Sequence, residues 1–340
     1  MSNIAIIGAG AWGTALSIVA GRGGAHRVRL WAYETEVCDS VRKRRVNELF
    51  LDGQTIPEAV EVTNDLAEVV HSAEFVVSVM PSNHCRRLFQ ALKPHLKPEM
   101  IFVSATKGIE EASLHRMTEI AAEVIQADGG FVPRMAALSG PSFAKEVARG
   151  DPTAVTVAAP REDLARAVQQ TLSDPRFRIY TNDDVAGVEL GGALKNVIAI
   201  AAGVCSGLGL GHNSVAALIT RGLAEMTRLV VACGGRRETM AGLAGLGDLV
   251  LTCTGGLSRN RSVGEQLGRG RKLPEIIAGM HGMVAEGVLT TNAAVGLARR
   301  HHVEMPITEK MFEVLHEGKP PHQAIHELMT RAAKSEVAEL

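Results

Sequence analysis

The first two dozen residues constrain this chain most. An apolar run, Ile4 to Ile7, breaks at Gly8-x-Gly10-x-x-Gly13 and passes into the small-residue helical pattern of Trp12–Gly21. That order reads as strand, tight turn and helix start. In it Gly8 permits the turn, Gly10 lets the backbone come close to a pyrophosphate, and Gly13 lets the helix lie on the strand. Unpaired N–H groups at such a helix start, helped by the helix dipole, hold phosphate oxygens. A glycine fingerprint alone is a weak signal. Here it directly follows a strand and is itself followed by a second strand, Arg27–Trp31. The reading is dinucleotide binding; a glycine-rich turn that binds nothing is the alternative.

Further strands are expected at Glu61–Thr63, Phe75–Val79, Met100–Ser104, Met135–Ser139, Ala154–Ala158 and Phe177–Tyr180. Helical patterns separate most of them, Glu34–Arg45 and Leu114–Ile125 among these. Such alternation predicts an α/β fold, an N-terminal Rossmann-type doubly wound and largely parallel sheet. Ligands of such sheets sit beyond the carboxyl ends of the strands. After Tyr180 helical patterns dominate, beginning with one that Asn182-Asp183 could cap and that runs to about Ser206. The expected division is residues 1–185 for the nucleotide-binding domain and 186–340 for an all-helical C-terminal domain carrying the substrate and the catalyst. At 340 residues the chain is long enough for two cores.

Composition narrows the function. The formal net charge is −1, so no global basic field invites nucleic acid or a membrane surface. The five cysteines are dispersed with no C-x-x-C spacing, which suits free thiols in a reducing, cytoplasmic compartment. The N-terminus enters a strand directly, so no signal peptide is expected. The uncharged stretch Asn196–Gly211 is shorter than the roughly 20 apolar residues of a membrane span. No stable membrane insertion is expected, nor a metal, since no cluster has ligand spacing.

Four polar islands could carry chemistry. Lys195 lies in an Ala/Gly/Ile-rich helical pattern where, from Val185 to Gly211, Glu189 is the only other charged residue. Burial there disfavours the ammonium and fits the side chain for proton transfer near neutrality; snorkelling to the surface is the other reading. Gly191-Gly192, one turn earlier, leave room for a ligand or for another backbone. Asp248 interrupts an apolar run, either as a helix N-cap or as a carboxylate facing a cleft. Ser258-Arg259-Asn260 offers guanidinium and amide donors to a phosphate, or is an exposed basic turn. Lys107 and the Ser139-Gly140-Pro141-Ser142 turn follow predicted strand ends, with Ser142 read as either an N-cap or part of an anion-binding helix start.

Together these segments resemble the NAD(P)-dependent glycerol-3-phosphate dehydrogenases of bacteria. The likeness rests on Gly8-Ala-Gly-Ala-Trp-Gly-Thr-Ala, Ala105-Thr-Lys-Gly, Ser139-Gly-Pro-Ser-Phe-Ala, Leu190-Gly-Gly-Ala-Leu-Lys-Asn-Val, Thr220-Arg-Gly-Leu-Ala-Glu-Met, Gly242-Leu-Ala-Gly-Leu-Gly-Asp-Leu, Ser258-Arg-Asn-Arg and Glu304-Met-Pro-Ile-Thr. It runs in order from residue 4 to about residue 318. The resemblance implies reversible interconversion of dihydroxyacetone phosphate and sn-glycerol 3-phosphate, feeding phospholipid synthesis. It implies Lys195 as proton donor or acceptor, with Lys107 and Asp248 in the catalytic set. Lys107, Gly140, Ser142, Lys195, Asp248, Ser258, Arg259 and Asn260 would line the substrate site. Besides Gly8, Gly10 and Gly13, the residues implied to touch the NAD(H) or NADP(H) cofactor are Ala11, Trp12, Tyr33, Phe50, Lys107, Ala144, Arg259, Val284 and Glu286. A homodimer is compatible with this reading. Glu34, after the second strand, sits where an acid on a ribose 2′-OH favours NAD, whereas Arg42-Lys43-Arg44-Arg45 offers a possible alternative, a 2′-phosphate site.

Overall fold

Ile4 and Ile6 point to one face of a sheet, Ala5 and Ile7 to the other, and all four are buried. The same two-faced burial recurs in Phe75/Val77 against Val76 and in Ile101/Val103 against Phe102. Strands buried on both faces read as continuous apolar runs rather than alternating ones, as parallel sheets require.

The computed structural model describes residues 1–280, 285–333, 335 and 336. The chain forms two units, Met1–Thr106 with Met117–Val185, and Lys107–Arg116 with Ala186–Leu340. Lys107–Arg116 therefore groups with the second unit, not with the first as a single cut after residue 185 supposes.

The first unit is an eight-stranded sheet of β1 (Asn3–Ile7), β2 (Arg27–Trp31), β3 (Val60–Thr63), β4 (Phe75–Ser78), β5 (Ile101–Ser104), β6 (Arg134–Ser139), β7 (Thr153–Ala158) and β8 (Phe177–Asn182). The order is β8-β7-β6-β5-β4-β1-β2-β3, and every neighbouring pair is parallel except β6 and β7. The chain builds to one side of β1 through β2 and β3, then returns to add β4 on the other. The loop after β1 thus lies at the reversal of strand order, where such sheets bind ligands. Helix α1 (Ala11–Gly21) covers the Ile4/Ile6 face with Ala15, Leu16, Ile18 and Val19. Helix α2 (Thr35–Arg44) follows β2. Phe89 and Leu92 of Cys85–Leu92, and Ile120 and Ile125 of Met117–Gln126, cover the opposite face. The second of these helices begins three residues later than the sequence pattern suggests, because its expected first turn belongs to the 107–116 segment. A short antiparallel hairpin, Val46–Asn47 with Leu51–Thr55, was not foreseen; a two-residue strand leaves no periodicity to read.

The second unit is helical around α3 (Val185–Gly207), buried from Gly187 to Cys205. Among the described residues, α3 is the single unbroken helix long and apolar enough to cross a membrane, and its apolar window is wholly buried. Around it in sequence order come α4 (His212–Ala232), α5 (Asp248–Thr254), α6 (Arg259–Gly268) and α7 (Glu286–Arg300). The small residues of α3 admit neighbouring backbones. A Cβ on Gly191 would fall 2.8 Å from the Ala244 carbonyl oxygen, and one on Gly264 of α6 would fall 1.9 Å from that of Ile200. Gly191 thus serves the approach of another backbone, the segment that leads into α5.

Candidate active site

The loop after β1 is built to stay open. Gly8 has φ +122°, and a Cβ there would lie 2.8 Å from the Val79 carbonyl oxygen. A Cβ on Gly13 would lie 1.8 Å from the Gly8 carbonyl oxygen, so helix and turn touch through backbone alone. At Gly10 a Cβ would meet nothing within 4 Å. Gly10 also caps α1 without a side-chain bond, leaving first-turn N–H groups beside that open space. Asn47, wholly buried, ties the loop down: its amide donates to the Ala9 carbonyl at 2.7 Å and to Thr14 Oγ1 at 2.8 Å, while its Oδ1 accepts from Phe50 N at 3.1 Å. The Trp12 ring stands 6.3 Å from that of Phe177, and its indole N–H is buried with no partner among the described residues. These features fit a dinucleotide. Gly13→Ala should cost the first unit about 1–3 kcal/mol through overpacking. A denaturation midpoint equal to that of the parent enzyme would contradict this.

Past β2, Tyr33 is exposed and stacks obliquely on Trp31, while Glu34 precedes α2 without a capping bond. The basic run beyond has partners inside the protein. Arg42 donates to the Val62 carbonyl, Arg44 to Glu48, and Arg45 to the carbonyls of Ile56, Pro57 and Val60. Gly140 has φ +143° and its Cβ would lie 2.9 Å from Val155 Cα. Ser142 is not an N-cap: its hydroxyl donates to the Gly140 carbonyl at 2.9 Å, and Phe143 precedes the six-residue helix Ala144–Arg149. Ala144 packs on the core of the first unit.

In the second unit α3 and α5 bring opposite charges together out of water. Lys195 is 6 % exposed and Asp248 1 %. The Lys195 ammonium donates to Asp248 Oδ1 at 2.7 Å and to Thr252 Oγ1 at 2.6 Å. The Thr252 hydroxyl donates to the Asp248 backbone carbonyl at 2.6 Å, which turns its lone pair towards the lysine. Lys107 donates to the other carboxylate oxygen, Oδ2, at 2.5 Å. One carboxylate between two ammoniums leaves the cluster positive. Burial lowers the Lys195 pKa most; the Asp248 charge opposes that and the Lys107 charge adds to it, leaving Lys195 at about 8. The adjacent Cys253 thiol is pushed up by burial to about 12, so it stays protonated.

Asp248 is not a helix N-cap. It follows a widened turn, Leu243–Gly247, and its side chain is committed to the lysines. Ser258 does cap α6, accepting from Arg261 N at 3.2 Å. Arg259 opens α6 with its surface exposed on one side, while protein crowds its guanidinium. That desolvation lowers its pKa despite the attraction of Glu286. Asn260 is largely spent on structure: its Nδ2 donates to Asn196 Oδ1 at 2.9 Å, and its Oδ1 accepts from Gly287 N at 2.9 Å. Glu286 is the first residue of α7, and Val284 lies outside the described residues. Sequence reasoning missed Thr252, Asn196 and Asn47. Only Thr252 had a usable signal, its place one turn after Asp248.

Comparison with known proteins places the whole chain in one family. Residues 3–165 match the family model for the N-terminus of NAD-dependent glycerol-3-phosphate dehydrogenase, and residues 184–326 match that for its C-terminus. The chain is 67 % identical to a glycerol-3-phosphate dehydrogenase [NAD(P)+] of Koribacter versatilis, with 99 % of each covered. It is 54 % identical to the enzyme of that name from Geobacter sulfurreducens, with 98 % of each covered. The crystal structure of glycerol-3-phosphate dehydrogenase from Coxiella burnetii superposes with a TM-score of 0.91 at 42 % identity, covering 97 % of this chain and 99 % of that one.

Proposed function

Because the chain belongs to the NAD-dependent glycerol-3-phosphate dehydrogenase family, we propose that Lys195 is the proton donor of its reaction and that Asp248 and Thr252 aim it. The reaction is the NAD(P)H-dependent reduction of dihydroxyacetone phosphate to sn-glycerol 3-phosphate. The observation that carries the catalytic reading is the buried Lys195–Asp248–Lys107 cluster.

When bound, the reduced nicotinamide supplies the hydride. Gly8, Gly10, Gly13 and the start of α1 would hold its pyrophosphate, and Trp12, Tyr33 and Phe50 would contact the nucleotide. The substrate ketone oxygen takes a hydrogen bond from the Lys195 ammonium. As negative charge grows on that oxygen, the positive cluster stabilises it, and Lys195 passes it a proton. Asp248 and Thr252 each accept one N–H of Lys195, which fixes the direction of the third. In the oxidative direction the neutral amine takes the proton back.

Arg259, at the start of a ten-residue helix, grips the substrate phosphate with the N–H groups of that helix end. Asn260 can add at most its second amide N–H. Arg259→Ala should raise KM for dihydroxyacetone phosphate at least about tenfold, the worth of one charge-assisted hydrogen bond. The phosphate-free ketone dihydroxyacetone should be reduced as slowly by the variant as by the parent. Unchanged KM for the phosphorylated substrate, or an equal loss with both, would remove Arg259 from the phosphate site.

Glu34, together with the internal partners of Arg42, Arg44 and Arg45, favours NADH over NADPH; comparing kcat/KM for the two tests this. The product is the backbone of glycerophospholipids, which supports a role in lipid supply. The described cysteines are free thiols, four of them buried, which suits a reducing cytoplasm.

A further inference from the structure

Lys107 reaches Asp248 from the 107–116 segment, which has no helix of its own, so something else must hold the ammonium in place. The segment folds back on itself. Ile109 and Arg116 form an antiparallel bridge, Glu110 N donates to the His115 carbonyl at 3.0 Å, and Leu114 N donates to the Glu110 carbonyl at 2.8 Å. Leu114 has φ +63°, a conformation that a leucine rarely adopts and that persists only where the surroundings impose it. Its side chain packs over Gly296 of α7, where a Cβ would lie 2.9 Å from Leu114 Cδ2. Ile109 is buried in the core of the second unit. Arg116 then donates to Glu189 Oε2 of α3 at 2.9 Å, and the Glu189 side chain is 5 % exposed.

The connections close a ring. Helix α3 carries both Glu189 and Lys195. From Glu189 the path runs to Arg116, across the bridge to Ile109, two residues back to Lys107, through Asp248, and home to α3 at Lys195. A buried ion pair is a weak source of stability but an effective device for fixing register. We propose that Arg116 and Glu189 form a positioning pair, holding the 107–116 segment so that the Lys107 ammonium meets Asp248. The inference rests on the proposed role of Lys195 and adds a reason for the conformation of the segment beside it. The groups facing Lys195 are Asp248, Lys107, Cys253 and the Thr252 hydroxyl. Of the charges around Lys195, that of Lys107 is the one the segment delivers. Withdrawing it removes a like charge and leaves Asp248 wholly to Lys195; both changes raise the Lys195 pKa above about 8.

A double-mutant cycle in the full-length enzyme tests this, using Arg116→Ala, Lys107→Met and their combination, with dihydroxyacetone phosphate and NADH. Arg116→Ala should lower kcat/KM about 10- to 100-fold, the scale of a misplaced active-site group. Its alkaline limb should move up in pH, as it does in Lys107→Met. Adding Arg116→Ala to Lys107→Met should cost less than about twofold more, since both act through one ammonium. Arg116→Lys keeps the charge without the planar fork and serves in the same cycle if the alanine variant does not fold. A full Arg116 penalty in the Lys107→Met background, or a pH limb that stays put, would overturn the proposal and make the ion pair purely structural. Lys195→Ala, measured in parallel, separates the two failures. Normal activity there defeats the proton-donor reading, whereas an inactive Lys195→Ala with additive Arg116 and Lys107 effects defeats the positioning pair alone.

Discussion

Lys195→Ala should lower kcat for dihydroxyacetone phosphate reduction between about 10²- and 10⁴-fold, the range of a positioned general acid. Electrostatics sets the upper end. A full negative charge about 3 Å from an ammonium, at an effective dielectric near 20, gains roughly 5 kcal/mol, close to four powers of ten in rate. The variant removes that attraction and the proton together. It should fold, because alanine leaves the helix intact and Asp248 keeps Lys107 as a partner. KM should change far less than kcat, since the phosphate is gripped elsewhere. A kcat within threefold of the parent would refute the assignment. So would a loss confined to KM.

Asp248→Ala should be the most damaging single change to both activity and stability. It strips the carboxylate from two ammoniums, one of them 6 % exposed. Removing one partner from a buried pair costs about 3–5 kcal/mol, because the other charge is left uncompensated. Against a total stability of roughly 5–15 kcal/mol this is a large fraction. The surviving response is for Lys195 to lose its proton, which silences the donor. Asp248→Asn keeps the shape and separates the two effects. It takes away the charge that raises the Lys195 pKa and leaves the burial and Lys107 effects that lower it. The alkaline limb of the rate profile should therefore move down in pH, opposite to the shift expected for Lys107→Met. An Asp248→Asn enzyme with its limb still at about 8 would show that the carboxylate does not hold the ammonium.

What could be read from the sequence was what is local. The Gly8-x-Gly10-x-x-Gly13 turn, the eight strands and the apolar setting of Lys195 depend on residues close together in the chain. The site was harder because its bonds are long-range. Lys195 and Asp248 are 53 residues apart, and Lys107 and Asp248 are 141 apart. No periodicity announces that one carboxylate serves two lysines, and no composition shift marks the 107–116 segment as part of the second unit. Asn47 holds the glycine loop from a two-residue strand, too short to stand out. Asn260 reads as a phosphate ligand because its amide, beside the Arg259 guanidinium, offers donors that match phosphate oxygens. Its hydrogen bonds to Asn196 and Gly287 follow from how α6 packs on α3 and α7, which spacing along one helix cannot reveal.

The proton-donor role of Lys195 is tested most directly by the pH dependence of kcat/KM for dihydroxyacetone phosphate reduction, measured side by side for the parent enzyme and Lys195→Ala. A buried ammonium of pKa about 8 that must be protonated to act predicts a rate that falls as pH rises through 8, mirrored by a rise in the oxidative direction. In Lys195→Ala the remaining slow reaction should cross that range flat. If the variant keeps the same alkaline limb near pH 8, the titrating acid is some other group and Lys195 is not the donor.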